Sequence, residues 1–278
     1  MATIEELESL RWDLRRDCVD IIMAGAGGHI GGDMSVIDAL MTLYANHLNI
    51  SPETVDDPDR DRFVLSKGHT APGLYSALAY RGFFPVSDLP TLRHADSYLQ
   101  GHPNMNLVPG VDMSTGSLGQ GVSCAAGMAK GAKYLGQDIN VYTLLGDGEI
   151  EEGEVWEAFM FAAHYKLDNL CVIIDLNGLQ IDGPTEKVMN SAPVDAKMEA
   201  FGFNVITING HDYDQIEGAF NAFRACTGKP TAILMHTTKG KGVKYMENNV
   251  DWHGKAPNDA EYEVAMNELR AAMAELEA

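Results

Sequence analysis

The chain has 278 residues and is 45% hydrophobic, enough to bury a substantial core as one large α/β domain or at most two small ones. Its 40 Asp plus Glu against 20 Lys plus Arg give a formal net charge of -20, which weighs against nucleic-acid phosphates and anionic membrane surfaces as partners. An anionic ligand must then be held by local features: a metal, helix N-termini, or a few His and Lys.

The N-terminal stretch MATIEELESLRWDLRRD is an acidic-basic amphipathic helix without the apolar core of a signal peptide, and no apolar run approaches ~18 residues. A cytoplasmic protein is expected. Ile4–Met23, Met34–Leu48 and Gly73–Arg81 carry helical periodicity and are separated by turns containing Gly or Pro. From residue 140 onward short apolar runs alternate with helical segments: strands are expected at Asn140–Leu145, Leu170–Asp175, Phe203–Ile208 and Pro230–Thr237. Helices are expected between them at Glu152–Lys166, Ala192–Phe201 and Tyr213–Cys226, and a last one at 259–277. This alternation predicts an α/β fold, a doubly wound and mostly parallel sheet with helices on both faces, in a single domain over 1–278. Cys18, Cys124, Cys171 and Cys226 lie far apart with no CxxC pair and are expected to be reduced core residues. Met266, Leu269, Met273 and Leu276 lie at helical spacing in the last helix, as a packing surface would.

The strongest local signal is Gly146-Asp147-Gly148-Glu149 directly after the apolar run Val141–Leu145, with Asn177 just beyond the next run, Cys171–Asp175. In a doubly wound sheet ligands sit outside the carboxyl ends of the strands, so Asp147 and Asn177 would face one crevice. A carboxylate, an amide oxygen, a backbone carbonyl beyond Asn177 and two phosphate oxygens would form an oxygen shell for Mg²⁺ or Ca²⁺. Gly148 lets a phosphate approach the backbone, and the helix opening near Glu152 is expected to aim its first N–H groups at that anion. GDG alone is often a strand-ending turn; the Asn placed 28 residues after it, on the next strand, is what favours a site. Competing phosphate motifs fail: no GK is followed by Ser or Thr, and Gly25–Ile30 does not fit GxGxxG.

GDG followed by about 28 residues and Asn is the thiamine diphosphate motif, and the surrounding text resembles transketolase along nearly the whole chain. Gly28-His29, DRFVLSKGH ending in His69, Gly101-His102-Pro103, STGSLGQG at 114–121, GDGEIEEG at 146–153, DLNGLQIDG at 175–183, TTKGKG at 237–242 and Trp252-His253-Gly254 follow the family's order. The resemblance implies that Asp147, Asn177 and the carbonyl of Leu179 bind the metal. It implies further that His69, Gly116, Ser117, Leu118 and Gly148 line thiamine diphosphate, with Lys239 near the cofactor. Glu152 matches an acidic residue of the network joining paired active sites, and His29, His102 and His253 match histidines around the reacting carbons of the sugar. Imidazoles suit that task because they titrate near neutrality and can both accept and give a hydroxyl proton. His47, His94, His164, His211 and His236 read as ordinary structural or surface residues, and Lys239, in Lys-Gly-Lys-Gly, reads equally well as a solvated basic turn.

Full-length members of the family carry two further domains, one of which grips the aminopyrimidine ring and supplies the glutamate that activates it. Neither is found in these residues, so the resemblance implies a chain inactive alone. It would be the N-terminal subunit of a split transketolase whose C-terminal, pyrimidine-binding subunit is a separate chain, with two copies of each. The family's His-Pro is His29-Ile30 here, followed by Gly31-Gly32-Asp33, a departure that touches sugar preference more than cofactor binding. An ordinary pentose phosphate, a branched or deoxy sugar phosphate and a sulfosugar all remain open as substrates. A thiamine enzyme of related fold or a non-catalytic cofactor-binding paralogue are the competing expectations.

Overall fold

A computed structural model describes residues 1–276. Helices α1 (Ile4–Ala24) and α2 (Ile30–Thr42) open the chain, followed by strand β1 (Arg62–Leu65) and helix α3 (Ala71–Tyr80). Helix α4 (Gln120–Leu135) leads into β2 (Val141–Gly146), α5 (Gly153–His164) and β3 (Leu170–Leu176). A small hairpin of β4 (Leu179–Gln180) and β5 (Gly183–Pro184), then α6 (Thr185–Val188) and α7 (Val194–Phe201), precede β6 (Asn204–Asn209), α8 (Tyr213–Ala225), β7 (Thr231–His236) and α9 (Asp259–Leu276).

The five long strands form one sheet in the order β1-β2-β3-β7-β6, every pair parallel. Buried on both faces, such strands are nearly continuous apolar runs whose alternate residues serve opposite cores. Tyr142, Leu144, Cys171, Ile173, Ile233 and Met235 pack into the layer containing α1, α2, α3, α8 and α9. Val141, Leu145, Val172, Ile174, Ala232 and Leu234 pack into the layer of α4, α5 and α7. The sheet is doubly wound as expected: after β3 the chain passes to the edge strand β6 and returns to β7, so the connections reverse direction beside β3 and β7. That reversal opens a crevice at the carboxyl ends of the strands.

Several local expectations are corrected. Strand β1 and helix α4 were not expected as elements: β1 has only four residues, and α4 carries Gly121, Gly127 and Gly131 in its interior, which weakens any helical signal. Helix α2 begins at Ile30, four residues before Met34, with His29 as its N-cap. Cys18 and Cys171 are buried, but Cys124 and Cys226 are only half-buried; all four are free. In α9, Met266 and Leu269 are buried against α1 while Leu276 is exposed, and residue 277 of the expected helix lies outside the described residues. No described helix is long and apolar enough to cross a membrane.

Candidate functional site

A cavity of about 310 Å³ opens at the carboxyl ends of β1, β2, β3 and β7. Its wall gathers His29, His69, His102, Gly116, Leu118, Asp147, Gly148, Asn177, Leu179, Lys239 and His253, all singled out in the sequence. Two expected residues stand apart. Ser117 lines a smaller adjoining cavity with Thr115 and Gln120. Glu152 is exposed outside the cavity, its side chain against Gly119.

The floor is the loop after β2. Asp147 N–H donates to the carbonyl of Asp175, at 3.1 Å, which ties the loop to the end of β3. The Asp147 carboxylate accepts one backbone N–H at each oxygen, from Gly148 at 2.9 Å and Gly178 at 2.5 Å. Asn177 donates its amide N–H to Asp175 Oδ2 at 2.8 Å, which fixes the rotamer and leaves Oδ1 to cap the Leu179 N–H at 3.1 Å. Burial, reinforced by the nearby Asp175 charge, pushes the Asp147 carboxyl up to about 6, the behaviour of an acid short of a counter-ion. The expectation that α5 aims its N-terminus here is corrected. A single 3₁₀ turn at Glu149–Glu151 and an extended Glu152 separate α5 from the GDG loop, and residues 150–155 do not line the cavity.

Three buried polar groups at this floor, Lys67, Glu149 and Asp175, the first two on the cavity wall, were not expected from the sequence. Asp175, fully buried at the end of β3, accepts from Lys67 Nζ at 2.7 Å, Ser35 Oγ at 2.7 Å, the Asn177 amide and Thr237 Oγ1. Burial pushes its carboxyl up, but the Lys67 charge together with the hydrogen bonds from Lys67, Thr237 and Ser35 outweighs this and holds it below its ordinary value. Glu149, the residue after GDG, is buried and accepts from Ser66 Oγ at 2.5 Å, Gly119 N–H at 3.0 Å and Gly146 N–H at 3.1 Å. It clamps β1, the STGSLGQG loop and β2 together. The available signal was the motif text itself: Lys67 in SKGH, Asp175 in DLNG and Glu149 in GDGE lie inside quoted motifs, but nothing in their spacing says that they face one another.

Four imidazoles ring the mouth. His29 lies 5.0 Å from His69, 6.3 Å from His102 and 5.4 Å from His253, centroid to centroid, and His69 stacks on His253 at 5.5 Å. Tyr75 on α3 steadies the His102 loop by donating to the carbonyls of Gln100 and His102. Burial, with the neighbouring positive groups, pushes His29 down to about 4 and His253 down to about 3, and lowers His69 and His102 as well. At pH 7 all four are therefore neutral, each with one N–H donor and one bare acceptor nitrogen. Lys239 is buried, not a solvated turn residue. Its Nζ reaches the Leu179 carbonyl at 3.3 Å and His253 Nδ1 at 2.8 Å, and burial together with the Lys67 charge pushes its pKa down to about 8. The remaining histidines lie outside the cavity: His47 pairs with Glu217 at 2.7 Å, His94, His164 and His236 are exposed, and His211 bonds Asp38.

The residues present fit a diphosphate held through a divalent cation. An ammonium already stands at the Leu179 carbonyl, so that oxygen is directed at positive charge. The Asp147 carboxylate and the Asn177 amide oxygen keep lone pairs beyond their single backbone bonds. Among the described residues no group of three or more His, Cys, Asp or Glu side chains could hold a metal alone, so further oxygens must come from the ligand, as Mg²⁺ commonly requires. At Gly116 a Cβ would come within 3.1 Å of the His102 ring, so that wall is backbone and open to close approach.

The family model described as transketolase, thiamine diphosphate binding domain, matches residues 10–273. One subunit of the apulose-4-phosphate transketolase of Actinobacillus succinogenes is 42% identical over 267 residues, covering 96% of each chain. The 6-deoxy-6-sulfo-D-fructose transketolase subunit SqwG of Clostridium sp. is 42% identical over 242 residues, 87% of this chain and 88% of that one. The crystal structure of transketolase from Campylobacter jejuni superposes with a TM-score of 0.90 at 31% identity, over 99% of this chain but only 46% of that one. The chain thus spans the length of separate transketolase subunits and slightly under half of a single-chain transketolase. The chain belongs to the transketolase family and corresponds to its thiamine diphosphate-binding domain.

Proposed function

We propose that this chain is the diphosphate-binding subunit of a two-chain transketolase, moving a two-carbon ketol unit from a ketose to an aldose. The observation that carries the proposal is the four-histidine ring set over the Asp147–Asn177–Leu179 floor in one cavity. Asp147, Asn177 and the Leu179 carbonyl would hold Mg²⁺ or Ca²⁺, and Gly116, Leu118, Gly148, His69 and Lys239 would surround thiamine diphosphate, with Ser117 behind Gly116. When bound, the cofactor supplies a nucleophilic carbon and an electron sink for the two-carbon fragment.

The protein's share is positioning and proton handling. Neutral His29 and His102 can accept a hydroxyl proton at a bare ring nitrogen as the sugar's C–C bond breaks, and return one to the acceptor's oxygen, while His253, its Nδ1 taken by Lys239, offers an N–H donor to a sugar oxygen. Lys239 donates to His253 Nδ1, so the proton of that neutral ring sits on Nε2. Glu152, exposed beside Gly119, would meet another subunit in this reading.

A partner chain carrying the pyrimidine-binding domain completes the site in this reading, in an assembly with two copies of each subunit. Support comes from relatives named as subunits. It also comes from apolar side chains left in water at the cavity mouth: Leu118 is 39% and Ile181 66% exposed, a pattern of surfaces that dock. In this reading the enzyme is cytoplasmic and acts in carbohydrate metabolism on an anionic sugar. A branched sugar phosphate or sulfosugar is favoured over a common pentose phosphate, because the compared subunits of matching length are named for apulose 4-phosphate and sulfofructose.

The test is ketol transfer with thiamine diphosphate and Mg²⁺, measured for this chain alone and mixed with a co-encoded chain bearing a pyrimidine domain. Activity only in the mixture is expected on apulose 4-phosphate, sulfofructose or xylulose 5-phosphate as donor. His102→Ala should cut turnover in the mixture while leaving cofactor binding close to that of the wild type. Full activity in this chain alone, or none in the mixture with cofactor bound, contradicts the proposal.

A further inference from the structure

The sequence left His211 as an ordinary structural residue; its surroundings connect it to the cavity. It lies between β6 and α8, and its Nδ1 is 2.8 Å from Asp38 Oδ2 on α2, while the Thr238 backbone N–H donates to its Nε2 at 2.9 Å. Both contacts are satisfied only by the tautomer with the proton on Nδ1, given to the carboxylate, and with Nε2 bare. Asp38 is buried and also accepts from both Arg15 Nη atoms, at 3.0 and 2.7 Å, and from Tyr213 Oη at 3.0 Å. Arg15 in turn donates from Nε to the Lys241 carbonyl at 3.1 Å.

One carboxylate thus grips, through His211 and through Arg15, the two residues that bracket the turn carrying Lys239. Gly240, between them, has φ +77° and donates to the Gly31 carbonyl at 2.9 Å. A Cβ there would strike the Met246 carbonyl oxygen, so the turn has little freedom to settle elsewhere once its ends are held.

We propose that His211 is a positioning residue for Lys239: oriented by Asp38, its bare Nε2 holds the Thr238 amide so that the Lys239 ammonium stands inside the cavity beside the Leu179 carbonyl and His253. The consequence for cofactor binding rests on the function proposed above; the placement of the turn does not.

Two substitutions separate positioning from plain stability. An Asn side chain reaches only as far as Nδ1, so His211→Asn can keep a donor on Asp38 but offers nothing to Thr238. A Gln amide reaches the level of Nε2, so His211→Gln can accept from Thr238 while leaving Asp38 one donor short. If His211 merely neutralised Asp38, Asn would substitute for it and Gln would not; positioning requires the reverse.

Hydrogen exchange of the Thr238 amide, without ligand, reads the placement directly. His211→Asn is expected to speed it by roughly tenfold or more, as loss of the sole acceptor of a sheltered N–H implies, and His211→Gln to leave it near the wild-type rate. Titration with thiamine diphosphate and Mg²⁺ should show at least roughly tenfold weaker binding for His211→Asn and near wild-type binding for His211→Gln. In the wild type, ¹⁵N shifts of the His211 ring must show Nε2 without a proton, a measurement that needs no variant to fold. A protonated Nε2, wild-type exchange in His211→Asn, or the opposite ranking of the two variants overturns the proposal. Should the wild type fail to bind thiamine diphosphate, the proposed function falls while the exchange and tautomer measurements still decide the role of His211.

Discussion

Replacing Lys67 by Met removes the ammonium paired with Asp175 at 2.7 Å, where both side chains are out of water. Stranding a buried charge in this way costs about 3–5 kcal/mol. Ser35, Thr237 and Asn177 still donate to the carboxylate, which places the expected loss at the lower end, ~3 kcal/mol. For a chain of this size that is a drop of roughly 6–12 °C in melting midpoint. The loss carries a pH signature. In the wild type Asp175 is held below its ordinary value, so its contribution is present above the unfolded pKa of about 3.9 and fades as pH falls through the folded value. Without Lys67, burial acts unopposed by that charge and the carboxyl rises, so the variant loses stability as pH climbs from acid to neutral. The gap between the two proteins should therefore be widest near pH 7 and narrow toward about pH 4. Urea unfolding at both ends of that range measures it. Adding Asp175→Asn to the variant removes the stranded charge and should recover part of the loss. A Lys67→Met protein within ~1 kcal/mol of the wild type at pH 7, the worth of an exposed pair, would refute the reasoning.

Asp33 is fully buried, with one carboxylate oxygen accepting from the Gly73 N–H at 3.0 Å and the other without a partner. Burial raises its pKa well above the ordinary value. A raised carboxyl favours the fold below its unfolded pKa of about 3.9 and loses that advantage as pH rises toward the folded value. Asp33→Asn, which does not ionise, should therefore melt higher than the wild type at pH 8, with a smaller difference near pH 4; equal melting at both pH values speaks against the assignment. Glu149 accepts three hydrogen bonds, so in Glu149→Gln the amide NH₂ must face at least one of those donors. A loss of about 1–3 kcal/mol in urea unfolding is expected, and an unchanged midpoint contradicts the clamp.

The sheet was legible where burial on both faces writes continuous apolar runs, as in Val141–Leu145 and Leu170–Ile174, and the helices where an amphipathic face repeats, as in Tyr213–Phe223. Strand β1 was not, because four residues cannot display a period, and α4 was not, because glycines inside a helix mimic a loop in composition. In the site, motif order was enough to nominate the four histidines, Asp147 and Asn177. It could not reveal the buried partners: Lys67 and Asp175 are 108 residues apart in sequence, and His211 and Asp38 are 173 apart. Such pairs exist only once the strand ends are brought together. Glu152 shows the converse: a motif position identifies a residue type, but its place outside the cavity follows from the 3₁₀ turn that delays α5.

Under the proposed function, this chain would grip a diphosphate through a cation on Asp147, Asn177 and the Leu179 carbonyl. Calorimetric titration of thiamine diphosphate tests it most directly, in Mg²⁺, in Ca²⁺ and with a chelator, for the wild type and Asp147→Ala. Saturable binding to the wild type is expected with either metal, lost with the chelator and lost in Asp147→Ala. Binding that is indifferent to the metal and to Asp147, or no binding by the wild type with metal present, would contradict it.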